Sequence, residues 1–271
     1  MANKLKIFGI DFTSRPTRRK PITCLQCELQ DDILSVGTLH KWSSFTDFEK
    51  SLEQPGPWIM GIDAPFGQAR KFIETISWPN TWQGYVDHVA AMRRGEFRSV
   101  LDDYREDRDP GDKEHRRATD VAAGSISPQK LYGIPVGLMF YEVAPRLRIA
   151  NVTIPGMQKG DPNRVVVEAY PGILARNFIG RRSYKQDMKQ KQTKDQHTAR
   201  HDLYNLLSSS ELKATYGITL RAPQFLADDP MGDHLDALLC AIQGAWASRR
   251  RNYGAPDSLD PLEGWIADAT L

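Results

Sequence analysis

Residues 5–11 (LKIFGID) and 58–63 (WIMGID) share one pattern, an apolar run that closes on glycine, isoleucine and aspartate. Short apolar runs of this kind are typical of buried strands. The first run ends in Asp11 and the second in Asp63. We therefore expect two buried strands, each of which presents an aspartate at its C-terminal end.

The segments around these two runs extend the pattern to an α/β fold. Residues 21–29 and 33–42 indicate two further strands, which form a meander with the first. The apolar spacing of residues 45–52 indicates a short helix, so the chain begins β-β-β-α-β. Residues 165–168 (VVVE) indicate another strand that ends in an acid. Residues 232–249 have the apolar spacing of a helix that packs on the sheet.

The stretch from about residue 64 to 164 is polar, aromatic and charged, and it shows no strand pattern. Helical spacing occurs within it at residues 82–94 and 98–104. About a hundred residues without secondary structure would be improbable inside a domain, so we expect a helical insertion over the sheet. With 271 residues, 40% of them hydrophobic, the chain is long enough for one elaborated α/β domain over residues 1–271.

The composition indicates the cellular compartment and the class of protein. Three cysteines are too few for a disulfide framework, and no apolar run is long enough to span a membrane, so we expect a soluble, cytoplasmic protein. Cys24 and Cys27 have the spacing of a metal or redox pair, but no second pair completes a zinc site. Because residues three apart on a strand point to opposite faces, we interpret both as ordinary strand residues. The net charge of +2 does not indicate a nucleic-acid binder by itself.

Acidic residues close three of the predicted strands and begin the last helix. They are Asp11, Asp63, Glu168, Asp233 and Asp236. Ligand sites in open α/β sheets lie outside the carboxyl ends of the strands, and acids three apart in a helix share one face. Crowded carboxylates repel one another, and a hard cation with oxygen ligands relieves that repulsion. The pattern therefore predicts that all five acids are catalytic and bind Mg²⁺ or Mn²⁺.

Each acid also has a structural interpretation. Asp11 could cap the turn that follows it, and Asp233 could be the N-cap of the last helix. Asp236 is harder to explain in this way, because it lies within an apolar helical run where an unpaired charge is costly.

If two ions were held about 4 Å apart, they could position a water and stabilise the leaving oxygen of a phosphodiester.

Several short motifs resemble those of a largely uncharacterised family of predicted nucleases, domain of unknown function 429. They are GID at 9–11, GIDAPFG at 61–67, EAYP at 168–171, GDHLDAL at 232–238 and PLEGWI at 261–266. The resemblance implies a ribonuclease H-like mixed sheet with helices on its faces, and metal-dependent hydrolysis of DNA or RNA. It also implies the metal role of Glu168.

A more distant resemblance links Asp11, Asp63 and the Asp233/Asp236 pair to the acidic quartet of Holliday-junction resolvases of the RuvC type. Those enzymes also place two acids three apart on the last helix. Glu168 has no clear counterpart in that quartet. The long insertion is a second departure from the resolvase pattern.

Basic residues provide candidates for contact with a nucleic-acid substrate. Arg181, Arg182 and Lys185 belong to a basic run that could bind phosphates, although such runs are more often solvated helix faces. Arg117, in the motif RATD, could reach the site from the insertion and counter phosphate charge.

Two other functions fit the same residues. Actin-like kinases and ATPases share the ribonuclease H-like fold, but their phosphate cradles need glycine-rich turns, and Phe12 follows Asp11 here. A catalytically silent nucleic-acid-binding module is the second alternative.

Overall fold

Seven strands form one mixed sheet in the computed structural model, which describes residues 4–271. In chain order they are β1 (Lys4–Asp11), β2 (Ile22–Gln30), β3 (Ile33–Trp42), β4 (Trp58–Asp63), β5 (Val152–Thr153), β6 (Asp161–Ala169) and β7 (Thr219–Arg221). Their order across the sheet is β5-β6-β4-β1-β2-β3-β7. The meander of β1, β2 and β3 is antiparallel, whereas β4 is parallel to both β1 and β6.

Helices cover both faces of this sheet. They are α1 (Phe45–Leu52), α2 (Arg70–Thr75), α3 (Trp82–Ala90), α4 (Arg94–Arg105), α5 (Ala118–Ala123), α6 (Val136–Ile149), α7 (Pro171–Ile179), α8 (Lys194–Leu207), α9 (Ser210–Tyr216) and α10 (Asp233–Ala247). An apolar core forms between α1, α2, α3, α4, α6 and the sheet face of Ile10 and Ile62. A second core forms between α7 to α10 and the opposite face, which carries Ile7 and Ile59. The predicted α/β class and the β-β-β-α-β beginning are confirmed.

The insertion is helical, but it also contains a strand that the sequence does not reveal. Helices α2 to α6 lie within residues 64–164, as expected. The two-residue strand β5 lies there too and pairs with β6, which itself begins at Asp161. A strand of two residues is too short to show alternation of apolar and polar side chains. It is defined by its pairing with β6 and not by a pattern in its sequence.

Two glycines let α10 pack close against the sheet. A Cβ atom on Gly9 of β1 would lie 1.9 Å from the Ala237 carbonyl oxygen, and one on Gly61 of β4 would lie 2.3 Å from that of Cys240. Any side chain at these positions would therefore displace the helix. The close packing places the first turn of α10 beside the C-terminal ends of β1 and β4.

The two N-terminal cysteines agree with the sequence expectation. Cys24 and Cys27 are buried on opposite sides of the sheet, as two strand residues should be. Leu262 and Ile266 anchor the C-terminal segment, each with 2% of its surface exposed. Among residues 4–271, no helix is both long and apolar enough to span a bilayer.

Candidate metal centre

Three aspartates converge at the C-terminal ends of β1 and β4. Asp11 and Asp63 lie side by side because the two parallel strands pair at these residues. Asp236 comes from the first turn of α10, which the glycine contacts hold against the strands. One carboxylate oxygen from each residue lies within 4.8 Å of the other two. Three hard oxygen donors at this spacing suit Mg²⁺ or Mn²⁺.

The electrostatics of this triad favour a bound cation. Burial, reinforced by repulsion from Asp236 and Asp233, holds the pKa of Asp11 well above its usual range. Burial also raises the pKa of Asp63 to about 7. Both side chains nevertheless keep part of their surface accessible. The two carboxyls therefore resist ionisation until positive charge arrives, and they remain reachable for it.

Lys185 and Tyr184 bind the third aspartate. The Tyr184 hydroxyl donates to Asp236 Oδ1, and Lys185 Nζ donates to Asp236 Oδ2. Burial opposes the charged form of Lys185, but the Asp236 carboxylate holds its pKa well above the usual value. The Lys185 side chain is still 41% exposed, whereas that of Asp236 is 1% exposed. Lys185, which the sequence indicates as a phosphate contact, thus supplies a positive charge to the triad in this conformation.

Glu168 lies on the other side of the sheet. The register of β4 and β6 pairs Glu168 with Ile62 and Ala169 with Asp63. Side chains alternate along a strand, so Glu168 projects toward the insertion while Asp63 projects toward α10. The Glu168 carboxylate accepts a hydrogen bond from the Phe66 backbone N–H at 2.9 Å. The structure therefore does not bring Glu168 into the triad.

Arg117 binds Glu168 and holds the insertion on the sheet. Its guanidinium donates to Glu168 at 2.8 and 2.5 Å and to both carboxylate oxygens of Asp120 at 2.9 Å. A further bond at 3.0 Å reaches the Glu263 carbonyl oxygen. Arg117 is 1% exposed. These contacts engage all five of its N–H donors, so Arg117 is committed to the fold in this arrangement. Asp120, the partner three residues away in the RATD motif, is the residue that sequence reasoning missed.

Asp233 lies next to the triad without joining it. Its charge contributes to the raised pKa of Asp11, yet it is not among the three residues that share the 4.8 Å spacing. Burial, with repulsion from Asp229, raises the pKa of Asp233 to about 6. The helix N-cap is Gly232, which has a φ of 80°, so the N-cap interpretation of Asp233 is wrong.

The predicted phosphate contacts Arg181 and Arg182 line an open cavity of about 510 Å³ beside the site. Both side chains are exposed, and Arg182 pairs with Asp202 at 2.7 Å. Tyr170 and Tyr184 form a wall between this cavity and a second one of about 280 Å³, which reaches Asp63 and Lys185. The basic residues therefore lie in a cavity that adjoins the one reaching Asp63.

Comparison with family models, with curated proteins and with solved structures finds no match to this chain.

Proposed function

We propose that this protein has a ribonuclease H-like fold and hydrolyses phosphodiester bonds of nucleic acid with Mg²⁺ or Mn²⁺. The observation that carries the proposal is the convergence of Asp11, Asp63 and Asp236 at the carboxyl ends of two parallel strands. The strand order supports it as well, because an antiparallel meander is followed by parallel strands beside the first strand. The resemblance of the motifs to those of predicted nucleases points the same way.

In this proposal each residue around the triad has a distinct task. Asp11, Asp63 and Asp236 would hold the cation, and the Tyr184 hydroxyl fixes the orientation of the Asp236 carboxylate. A divalent cation bound there would polarise a phosphoryl oxygen and lower the pKa of an attacking water. The Asp233 carboxylate, whose pKa is raised by burial and by repulsion from Asp229, would be the group beside the triad that accepts a proton from the attacking water. Lys185 balances the acids and, being partly exposed, can turn toward a substrate phosphate.

The kinase or ATPase alternative has less support at the same position. Phe12 directly follows Asp11 and packs against Phe48, with 5.3 Å between the ring centroids. A buried aromatic ring takes the place where a phosphate cradle needs exposed backbone N–H groups.

The test is cleavage of labelled single-stranded and double-stranded DNA and RNA by purified protein with Mn²⁺. We expect cleavage by the wild type and its loss in Asp11→Asn, because the amide is isosteric but a weaker ligand for a hard cation. Asp102→Asn, on the exposed surface of α4, is the matched control and should cleave as the wild type does. If the wild type cleaves none of these substrates, or if Asp11→Asn stays active, the proposed function is wrong.

A further inference from the structure

Two adjoining cavities lie beside the triad and differ in chemistry. The base pocket, as we call the cavity of about 280 Å³, is lined by residues of both acidic groups and by apolar side chains: Asp63 and Lys185, then Arg117, Asp120 and Glu168, then Ile126, Ile134, Met139 and Tyr170. The arginine groove, the open cavity of about 510 Å³, is lined by Arg176, Arg181 and Arg182. Tyr170, Gly172 and Tyr184 border both cavities, so the two adjoin each other.

The base pocket is suited to a small, flat and largely apolar group. Ile126 and Ile134 line it although 42% and 61% of their surfaces are exposed. Exposed apolar side chains grouped around one cavity mark a binding site more often than chance. Its volume lies just below the range of about 300–1,000 Å³ that holds a drug-sized ligand. One aromatic ring system therefore fits, against the Tyr170 ring as a stacking surface.

The arginine groove is suited to phosphates. Among residues 4–271, Arg181 has no carboxylate within ion-pair distance, and its side chain is exposed. Arg182 has Asp202 as its ion-pair partner, and both of these side chains are more than 40% exposed, at 46% and 42%. Arg176 lies 5.7 Å from the centre of the Tyr170 ring. Positive charge thus continues from the groove to the aromatic wall of the base pocket.

We propose that the protein binds a nucleic-acid strand through one unpaired nucleotide, whose base enters the base pocket while the neighbouring phosphates lie along the arginine groove. This inference rests on the proposed function and names its substrate class. A base inside a duplex cannot enter a cavity of this size, so it must be single-stranded or turned out of the helix. With the base against Tyr170, its own phosphate would lie toward Asp63 and Lys185, the lining residues that belong to the metal centre.

The first experiment measures binding without cleavage. A fluorescent oligonucleotide is titrated with protein in EDTA by anisotropy, as a single strand, as a blunt duplex and as a duplex with one unpaired base. We expect the single strand and the unpaired base to bind at least about 10-fold more tightly than the blunt duplex, because neither requires a base pair to open. Equal or tighter binding of the blunt duplex would overturn the proposal.

Variants then separate the two cavities. Tyr170→Ala should weaken single-strand binding by about 5- to 150-fold, the range for loss of one base–aromatic stack, and Tyr170→Phe should restore it. Ile134→Glu should also weaken binding, whereas Val121→Glu should not, because Val121 is similarly exposed but does not line the base pocket. Wild-type binding by both Tyr170→Ala and Ile134→Glu would overturn the proposal.

Arg181→Ala should weaken binding to every sequence alike and reduce the dependence of log affinity on log salt by about 0.7, the value for one lost single-strand phosphate contact. Arg221→Ala is the matched control, because Arg221 is exposed on β7 at the edge of the sheet farthest from β5. An unchanged salt dependence in Arg181→Ala would remove the arginine groove from the proposal and so overturn it.

These measurements keep the inference distinguishable from the proposed function. Because they are made in EDTA, they do not depend on metal or on catalysis. If the wild type cleaves nothing but binds single strands through Tyr170, the inference stands and the proposed function fails. If it cleaves nucleic acid but prefers blunt duplex, the reverse holds.

Discussion

The two faces of the sheet carry acids in opposite electrostatic states. On the α10 face, Asp11, Asp63 and Asp236 share one lysine, which bonds to Asp236. On the insertion face, Glu168 and Asp120 surround Arg117, whose five N–H donors are all engaged. The first group has three carboxyl groups for one cation and partial access to solvent, whereas the second is almost fully buried and its guanidinium has no free donor.

Under the proposed function, the difference separates a site for a ligand from a structural contact. In a buried ion pair with complete hydrogen bonding every donor is already engaged, and removing one partner is costly because it leaves a buried charge uncompensated. A group of crowded carboxylates with too little positive charge is costly unless some of the carboxyls are protonated or a cation binds. Acids of the same type, at the ends of neighbouring strands, therefore serve different purposes according to the face on which they project.

The largest effect should come from Arg117→Met. Removing the guanidinium leaves Glu168 and Asp120 buried without a partner, which should lower the free energy of unfolding by about 3–5 kcal/mol. Urea denaturation measures the change. Arg98→Met, which removes a surface ion pair with Asp102, should cost less than about 1 kcal/mol. A small effect for Arg117→Met would show that the two faces do not differ as described.

The pH dependence of stability should reveal the unbalanced face. The folded pKa of Asp63 is about 7, well above the unfolded value of about 3.9. The contribution of Asp63 to the free energy of unfolding is therefore complete below pH 4 and is lost as the pH rises to 7. In EDTA, the wild type should therefore lose about 1.4 kcal/mol per pH unit relative to Asp63→Asn over that window. Denaturation of both proteins at pH 5, 6 and 7 measures the difference. A constant difference would contradict the raised pKa.

The contact between α10 and the sheet should be sensitive to a single added methyl group. In Gly61→Ala the new methyl group meets the Cys240 carbonyl oxygen, a backbone atom that cannot turn aside. We expect a loss of about 1–3 kcal/mol from overpacking, together with loss of the Mn²⁺-dependent rise in melting temperature. Gly95→Ala, with no atom within 4 Å of its added Cβ, is the matched control and should not be destabilised. A Gly61→Ala protein that keeps its Mn²⁺ response would show that close packing does not position Asp236.

The smallest effect should come from Lys185→Met, which keeps the apolar stem and removes the charge. Without metal, the variant should be about 1 kcal/mol less stable, because Lys185 is partly exposed and Asp236 keeps its hydrogen bond from the Tyr184 hydroxyl. With Mn²⁺ it should gain more stability than the wild type, since the cation no longer competes with an ammonium for Asp236. Thermal unfolding with and without Mn²⁺ checks both changes, and Lys213→Met, from an exposed pair with Asp32, is the control. An equal gain in the two proteins would exclude the competition.

The sequence predicts the strands that position the site, because LKIFGID and WIMGID combine apolar runs with a terminal acid. It also predicts the partnership of Asp11, Asp63 and Asp236, which depends on parallel strands ending at one edge of the sheet. It does not predict the face of Glu168. That face depends on a pairing register that aligns Ala169, and not Glu168, with Asp63. The sequence also does not predict the bond between Lys185 and Asp236. That bond depends on how the loop that carries Lys185 packs against α10, and the hydrophobic periodicity of the sequence does not determine this packing.

Calorimetric titration with Mn²⁺ of the wild type, Asp63→Asn and Glu168→Gln tests the account most directly. The wild type should bind Mn²⁺, Asp63→Asn should bind it at least about 10-fold more weakly, and folded Glu168→Gln should bind it with wild-type affinity. Binding that depends on Glu168 as much as on Asp63, or no binding by the wild type, would contradict the assignment of the metal centre to the α10 face.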